Sequence, residues 1–576
     1  MKFALIGINS SYFQSSYSIY AIAASYGGED VMQLKEYHIN QHYERILSDL
    51  YDTNADVYMF SCYLWNIELV SHLCENLKQL KNCTIVLGGS EVGYTPEKYF
   101  QKTNVIDYIV SGEGESVVNE LVHCLSNNIN PSFHSQIYTS EKEYDAKSTE
   151  SEWLTYRKFP YNAKRLAELN GKILYYETSR GCPFACSYCI PQLDRSVRSL
   201  PIDIIEQELL FFMQNHVKQV KLIDRTFNYD DKRARHIIRF ILEHNICTNF
   251  HLEICADILS DELITLLTCA PVGYFQIEVW VQTTNQETLA VIGRKNDLNK
   301  ISSSLIRIIE SKNIHVHADL IAMLPKETMK SFQSGFNYLY DIKPHMIQIG
   351  FLKVLNGTIM YYNSQNYNII FDIHPPYETL STDSITFREK VFIKELSHII
   401  DKYYNSRITM QTLDYLIDSS FPSAFDFYSR FVTYHKENSL FDRSLSRDDC
   451  YHTLMSFSKH PEKTILDSLI AYDYLLNNPL HLPSFLQEKV TVLYPKAFLS
   501  FLGNEQFIRC YLPSFEGKME KEIIKHIFVV VFHDNPIDRI ENQRTIILFY
   551  DEKEKDVFAQ NKHIILPYDR YYSLIE

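Results

Sequence analysis

Twice along the chain, short apolar runs alternate with amphipathic stretches in the rhythm of strand and helix. That alternation restricts the fold to α/β architectures, with parallel sheets covered by helices. The first series occupies residues 1–127. Lys2–Ile8, Val31–Tyr37, Asp56–Ser61, Thr84–Leu87 and Ile106–Val110 read as five strands, separated by helical patterns such as Ile67–Leu80 and Ser116–Leu125. Such a series predicts a flavodoxin-like sheet, whose ligand edge lies at the carboxyl ends of the strands. Residues 128–171 are polar, with weak periodicity, and read as a linker. The second series fills 172–375. Its strands are expected at Ile173–Thr178, Gln219–Asp224, Asn249–Ile254, Tyr274–Val281, His315–Ile321 and Met346–Phe351, with helices at Ile202–Asn215, Lys232–His244 and Leu298–Ser311. Six βα units fall short of the eight that close a barrel, so a partial (β/α)6 barrel is expected. Residues 376–576 read as a mostly helical α+β region with late strands at His526–Phe532 and Thr545–Tyr550, and they hold no catalytic signature.

With 576 residues the chain is too long for one hydrophobic core. A net charge of −15 argues against a bulk nucleic-acid substrate, which calls for a basic face. No apolar run reaches the length of a membrane span. Met1–Gly7 reads as a first strand rather than a secretory leader, so a cytoplasmic location is expected. Of the twelve cysteines, three crowd together at Cys182, Cys186 and Cys189. One thiolate cluster in a reducing compartment fits this better than a disulfide framework.

The triplet lies in Arg180-Gly181-Cys182-Pro183-Phe184-Ala185-Cys186-Ser187-Tyr188-Cys189, just after the first strand of the second series. Three thiolates can hold three irons of a [4Fe–4S] cluster, which four normally hold, leaving one iron open to a ligand. A zinc site is the alternative, but it needs a fourth ligand and usually C-x₂-C pairs.

This spacing, with an aromatic residue before the third cysteine, resembles the radical S-adenosylmethionine (radical SAM) superfamily over about residues 172–355. Within it, the chain is similar to the branch holding oxygen-independent coproporphyrinogen oxidase and the cobalamin-dependent members. The resemblance implies that the open iron binds the methionine portion of S-adenosylmethionine, which is cleaved to a 5′-deoxyadenosyl radical. It also implies an external electron donor such as flavodoxin or ferredoxin. Further site residues follow from it one by one. Asp224, in Lys221-Leu222-Ile223-Asp224-Arg225, stands where the family receives the methionine amine, though the family's glycines are missing. Glu253 falls where an acidic residue meets the ribose hydroxyls, and Gln282, in Val279-Trp280-Val281-Gln282-Thr283, falls where the family faces the cofactor. Arg294 takes the place of the basic partner of the methionine carboxylate. Asp319 opens Asp319-Leu320-Ile321-Ala322-Met323-Leu324-Pro325, where Met323 replaces a family glycine.

The first series places Ser61-Cys62-Tyr63-Leu64-Trp65-Asn66, Gly88-Gly89-Ser90-Glu91 and Gly112-Glu113-Gly114-Glu115 at carboxyl strand ends. Glycines there let backbone approach a bulky ligand. This pattern resembles the cobalamin-binding domain that precedes many radical enzymes, and it makes Ser61, Gly88 and Gly89 candidate cofactor contacts. Cys62 and Trp65 would either touch the corrin's lower face or pack in the core. The loop Asn9–Ser16 has no Asp-x-His-x-x-Gly, so cobalamin is expected base-off, without a histidine ligand. The whole chain resembles an uncharacterised family of such proteins. The implied activity is methylation or other remodelling of an unactivated carbon in a small molecule or peptide. Radical ring closure or rearrangement without cobalamin is the second reading, and a non-enzymatic iron–sulfur carrier or sensor the third. No catalytic residue is singled out.

Overall fold

The computed structural model describes residues 1–27, 32–144, 153–190, 196–458, 464–493, 502–551 and 562–566. Val31, expected to open the second strand, lies outside the described residues.

The first sheet contains β1 (Phe3–Asn9), β2 (Met32–His38), β3 (Val57–Ser61), β4 (Thr84–Gly88), β5 (Tyr108–Val110) and β6 (Ile137–Tyr138), ordered β2-β1-β3-β4-β5-β6. All neighbours run parallel except β5 and β6. Every residue of β1 is buried, as a central strand covered on both faces requires. Helices α1 (Tyr17–Tyr26), α2 (Tyr43–Asp52), α3 (Ile67–Leu80), α4 (Pro96–Lys102) and α5 (Gly114–Ser126) intervene. On α3 the apolar residues Val70, Leu73, Cys74 and Leu77 recur at helical spacing and face a core that includes Ile6, Phe60 and Ile85. Each such residue contributes roughly 1.5–3 kcal/mol through burial. The chain order reverses between β1 and β3, so the switch point of this sheet is flanked by the loops 9–16 and 61–66. β6 falls within the stretch read as a linker, and so do the helices Trp153–Tyr156 and Ala163–Glu168.

The six expected strands of the second series are present as β7 (Leu174–Tyr176), β10 (Gln219–Leu222), β11 (Asn249–Ile254), β12 (Phe275–Gln282), β13 (His315–Ala322) and β14 (Met346–Phe351). The sheet order is β14-β13-β12-β11-β10-β7. A two-stranded ribbon, β8 (Ser179–Arg180) and β9 (Arg198–Ser199), brackets the cysteine loop. On β10–β12, Val220, Phe250, Leu252, Phe275 and Ile277 alternate with Gln219, Lys221, His251, Glu253, Gln276 and Glu278. The apolar set is at most 1% exposed. One face of the sheet is therefore an ordinary core and the other is polar, unlike the apolar filling of a closed barrel.

The chain divides into two compact units, 1–314 with 321–332 and 350–390, and 315–320 with 333–349 and 391–576. The second contains the helices Met410–Ser420, Ala424–Glu437, Arg447–Phe457 and Ile465–Asn477, and an antiparallel sheet holding the strands Ile527–Phe532 and Thr545–Tyr550. Thr409 does not cap Met410–Ser420 with its own side chain. The buried Asp473 carboxylate does so from a distance, accepting from Gln411 N at 3.1 Å and Thr412 N at 2.8 Å. Among the described residues, no helix is long and apolar enough to cross a membrane.

Candidate cofactor site

The cysteine loop is held from below by Asp224, at the end of β10. This side chain has no exposed surface, and it accepts from the Thr178 amide at 3.0 Å and from the hydroxyls of Thr178 and Ser179. Arg233 completes its partners at 3.5 Å. A carboxylate so engaged ties the segment that leads into the loop to the strand end beside it.

From the side, the loop rests on the segment 292–296. Ser187 N donates to Ile292 O at 2.9 Å. Gly293 adopts a φ of +73°, and a Cβ there would approach Ala185 O to 2.7 Å. Only glycine tolerates both conditions. Arg294 stacks on Phe184 with 3.9 Å to the ring centroid, and reaches Cys186 Sγ at 4.0 Å and Cys255 Sγ at 3.1 Å. Arg294 is thus at the loop, with its charge turned toward sulfur. Cys255 was not singled out by sequence reasoning, and its only signal was its place one residue past β11. Its thiol donates to Asp257 at 2.8 Å, and burial pushes it up to about 12.

The three thiols of the triplet act on one another electrostatically. Burial raises Cys186, against the lowering effect of Arg294, and pushes Cys189 up to about 11. Among the described residues, no three His, Cys, Asp or Glu side chains converge on a point that could hold a single ion. In a [4Fe–4S] cluster each thiolate binds a different iron, and three cysteines on one loop are a donor set of that kind.

Glu253 is mostly buried, and burial raises its pKa; Lys221 stands 3.5 Å away. Lys221 also pairs with Glu278 at 3.0 Å, and Glu278 accepts from His251 at 3.1 Å. Burial pushes Glu278 up, but the hydrogen bond from His251 and the Lys221 charge outweigh it and hold it at about 2. A depressed carboxylate contributes stability above its unfolded value, near 4.5, and loses it as pH falls through 2. Glu278→Gln should therefore cost about 2–3 kcal/mol at neutral pH and flatten the acid limb of the unfolding curve. Urea titrations of both proteins between pH 7 and 3 check this.

Gln282 has a φ of +62° and Met323 a φ of +70°. Met323 thus adopts the left-handed backbone that favours glycine, with its side chain fully buried. Such conformations cost about 1–3 kcal/mol and concentrate at functional sites. Gln282 accepts from Asn296 at 3.3 Å, which ties the end of β12 to the segment under the cysteine loop. Asp319 is buried on β13 in the other compact unit.

At the first sheet's switch point, Ser61 Oγ meets Ser18 Oγ at 2.9 Å. Cys62 is fully buried and packs in the core, whereas Trp65 is 42% exposed and stacks on Tyr63 at 4.4 Å. Tyr12 and Phe13 in the neighbouring loop are each 63% exposed. Large apolar rings in water at a ligand edge fit a bulky, partly apolar ligand such as a corrin. Gly88 has room, with the nearest atoms to a built Cβ at 3.8 Å, whereas Gly89 (φ +103°) would drive a Cβ to 2.6 Å from Cys62 O. Gly89 thus serves the loop's own backbone.

Comparison with known proteins follows the same division. Residues 6–122 match the B12 binding domain, and residues 176–339 match the radical SAM superfamily. The chain pairs a B12-binding domain with a radical SAM domain. Residues 365–549 match a protein of unknown function, DUF4080. Among relatives, the cobalamin-dependent radical SAM methyltransferase TokK of Streptomyces tokunonensis is 24% identical over 50% of this chain and 45% of its own. The 2-(S-pantetheinyl)-carbapenam-3-carboxylate methyltransferase of Streptantibioticus cattleyicolor is 23% identical over 51% and 46%. The chain thus spans about half the length of these curated relatives. Among solved structures, the cobalamin-dependent radical enzyme OxsB superposes with a TM-score of 0.56 at 15% identity, over 79% of this chain and 75% of that one. TsrM of Kitasatospora setae gives 0.52 at 13%, over 63% and 76%. The fold is similar to that of these two enzymes.

Proposed function

We propose that the chain is a cobalamin-dependent radical SAM methyltransferase acting on an unactivated carbon of a small molecule. The observation that carries this reading is the half-buried cysteine loop, seated on 292–296 in a chain that also contains a B12-binding domain. When bound, the cluster with S-adenosylmethionine supplies a carbon radical and the corrinoid supplies the methyl group, chemistry that belongs to the cofactors. The chain's own residues bind and orient. Cys182, Cys186 and Cys189 would hold the cluster. Arg294 would place its positive charge beside it, and Glu253 and Gln282 would face the nucleoside. Ser61 and Gly88 would border the corrinoid, and an external reductant is needed. The carbapenam named by one relative supports a small substrate over a peptide.

Anaerobic purification with hydroxocobalamin, followed by iron, sulfide and corrinoid assays and turnover of S-adenosylmethionine, tests the whole reading. The expected products are 5′-deoxyadenosine and S-adenosylhomocysteine. Formation of 5′-deoxyadenosine by protein that takes up no corrinoid would instead favour ring closure or rearrangement.

Arg294 gives a sharper test. Arg294→Ala should weaken S-adenosylmethionine binding by about 2–4 kcal/mol, the scale for losing one partner of a desolvated charge pair. Calorimetry on cluster-loaded protein reads this, and unchanged affinity would confine Arg294 to its contacts with Phe184, Cys186 and Cys255.

A further inference from the structure

The loop Gly112-Glu113-Gly114-Glu115 sits at the ligand edge of the first sheet, yet its acidic side chains are engaged by the radical SAM part of the chain. Glu113 pairs with Arg198 at 2.9 Å and with Arg180 at 3.2 Å. Glu115, in the first turn of α5, pairs with Arg180 at 2.8 Å. Arg180 also meets Glu177 at 2.7 Å and stands over the Trp153 ring at 4.7 Å. These side chains are between 7% and 19% exposed. Removing one partner would strand a buried charge.

The placement of the two arginines is specific. Arg180 ends β8 and Arg198 begins β9, and they pair directly across the ribbon. The cysteine loop is what this ribbon closes. Arg180 is separated from Cys182 only by Gly181, whose φ is +98° and whose α-carbon faces the Ser196 carbonyl too closely to admit a side chain. The linkage from Glu115 to the first thiol is therefore short and stiff. The helix dipole favours a carboxylate in the first turn of α5, and Glu115 stays ionised: burial would raise its pKa, but the Arg180 guanidinium lowers it further. The Glu91 carboxylate, after β4 of the same sheet, likewise accepts from a residue far along the chain, Tyr377, as well as from Tyr99 at 2.6 Å.

We propose that Arg180 and Arg198 are positioning residues through which the B12-binding domain holds the base of the cysteine loop, so that the loop keeps its cluster-binding shape only while that domain is docked. The iron-loading part rests on the function proposed above; the loop-ordering part does not.

The test uses the full-length chain. Hydrogen exchange on metal-free protein compares the cysteine-loop peptide 177–190 with peptides from β1 and β3, in Glu115→Gln, Glu113→Gln and Arg180→Gln. Losing a charge-assisted hydrogen bond should speed exchange in the loop peptide by about tenfold while β1 and β3 keep their protection. Iron and sulfide per chain after anaerobic reconstitution should fall by more than half, and Arg180→Lys should restore part of both. Unchanged loop exchange in all three variants overturns the proposal. So does exchange that rises equally in β1 and β3, which marks general destabilisation, and so does full iron loading in a variant whose loop exchanges faster. If wild-type protein takes up no iron, the proposed function fails, and the exchange comparison still decides the loop-ordering part.

Discussion

Replacing Cys182, Cys186 or Cys189 with Ala should abolish the brown iron–sulfur chromophore and with it all formation of 5′-deoxyadenosine. Two thiolates cannot retain a four-iron cluster that already lacks its fourth protein ligand. Cys255→Ala is the informative control. Its thiol shares Arg294 with Cys186, which makes it a candidate fourth ligand. The open-iron reading requires that Cys255→Ala keep the chromophore and the cleavage activity. Anaerobic absorption spectra and product analysis on the four single variants settle the matter. Loss of the chromophore in Cys255→Ala would favour a carrier with a closed cluster, and its retention in any triplet variant would sink the assignment.

The second large effect concerns the corrinoid. Protein reconstituted with hydroxocobalamin should show a base-off spectrum that His38→Ala and His42→Ala leave unchanged. The switch point is flanked by the loops 9–16 and 61–66, and neither holds a histidine. His38 ends β2, the edge strand beside β1, and its ring stands edge-on to Tyr12 at 6.0 Å. Gly88→Val should abolish corrinoid uptake and leave cluster assembly intact, because the chain itself leaves room at that position. Gly89→Val is the wrong variant for this purpose. It would force a side chain onto the Cys62 backbone and break the loop whether or not a ligand binds. Uptake of corrinoid by Gly88→Val at the wild-type level would remove Gly88 from the site.

The sequence made legible whatever is local and periodic. Both strand–helix series are where the apolar runs put them, and the cysteine triplet follows β7 as its spacing implied. What escaped depends on contacts between residues distant in the chain. Asp224 looked like a strand-end cofactor contact, and only the folded chain brings Thr178, Ser179 and Arg233 around it. The acidic side chains of Gly-Glu-Gly-Glu looked like part of a ligand edge, since nothing in their neighbourhood reveals arginines more than sixty residues away. Met323 looked like a departure from a needed glycine. Its backbone nevertheless takes a left-handed conformation, with the side chain fully buried. β6 has two residues, too few for any alternation to register.

That short strand governs how the protein can be dissected. Ile137 and Tyr138 are at most 1% exposed; they pair with β5, and Tyr138 belongs to the same core as Ile6 and Phe60. A fragment cut at residue 122, where the B12-binding match stops, would leave β5 as a bare edge and open the core beside it. Such a fragment invites strand-to-strand association in the test tube, and its insolubility would say nothing about the domain's capacity to fold. A fragment carried through residue 144 keeps both residues, with Tyr144 packed against Tyr138 at 5.4 Å.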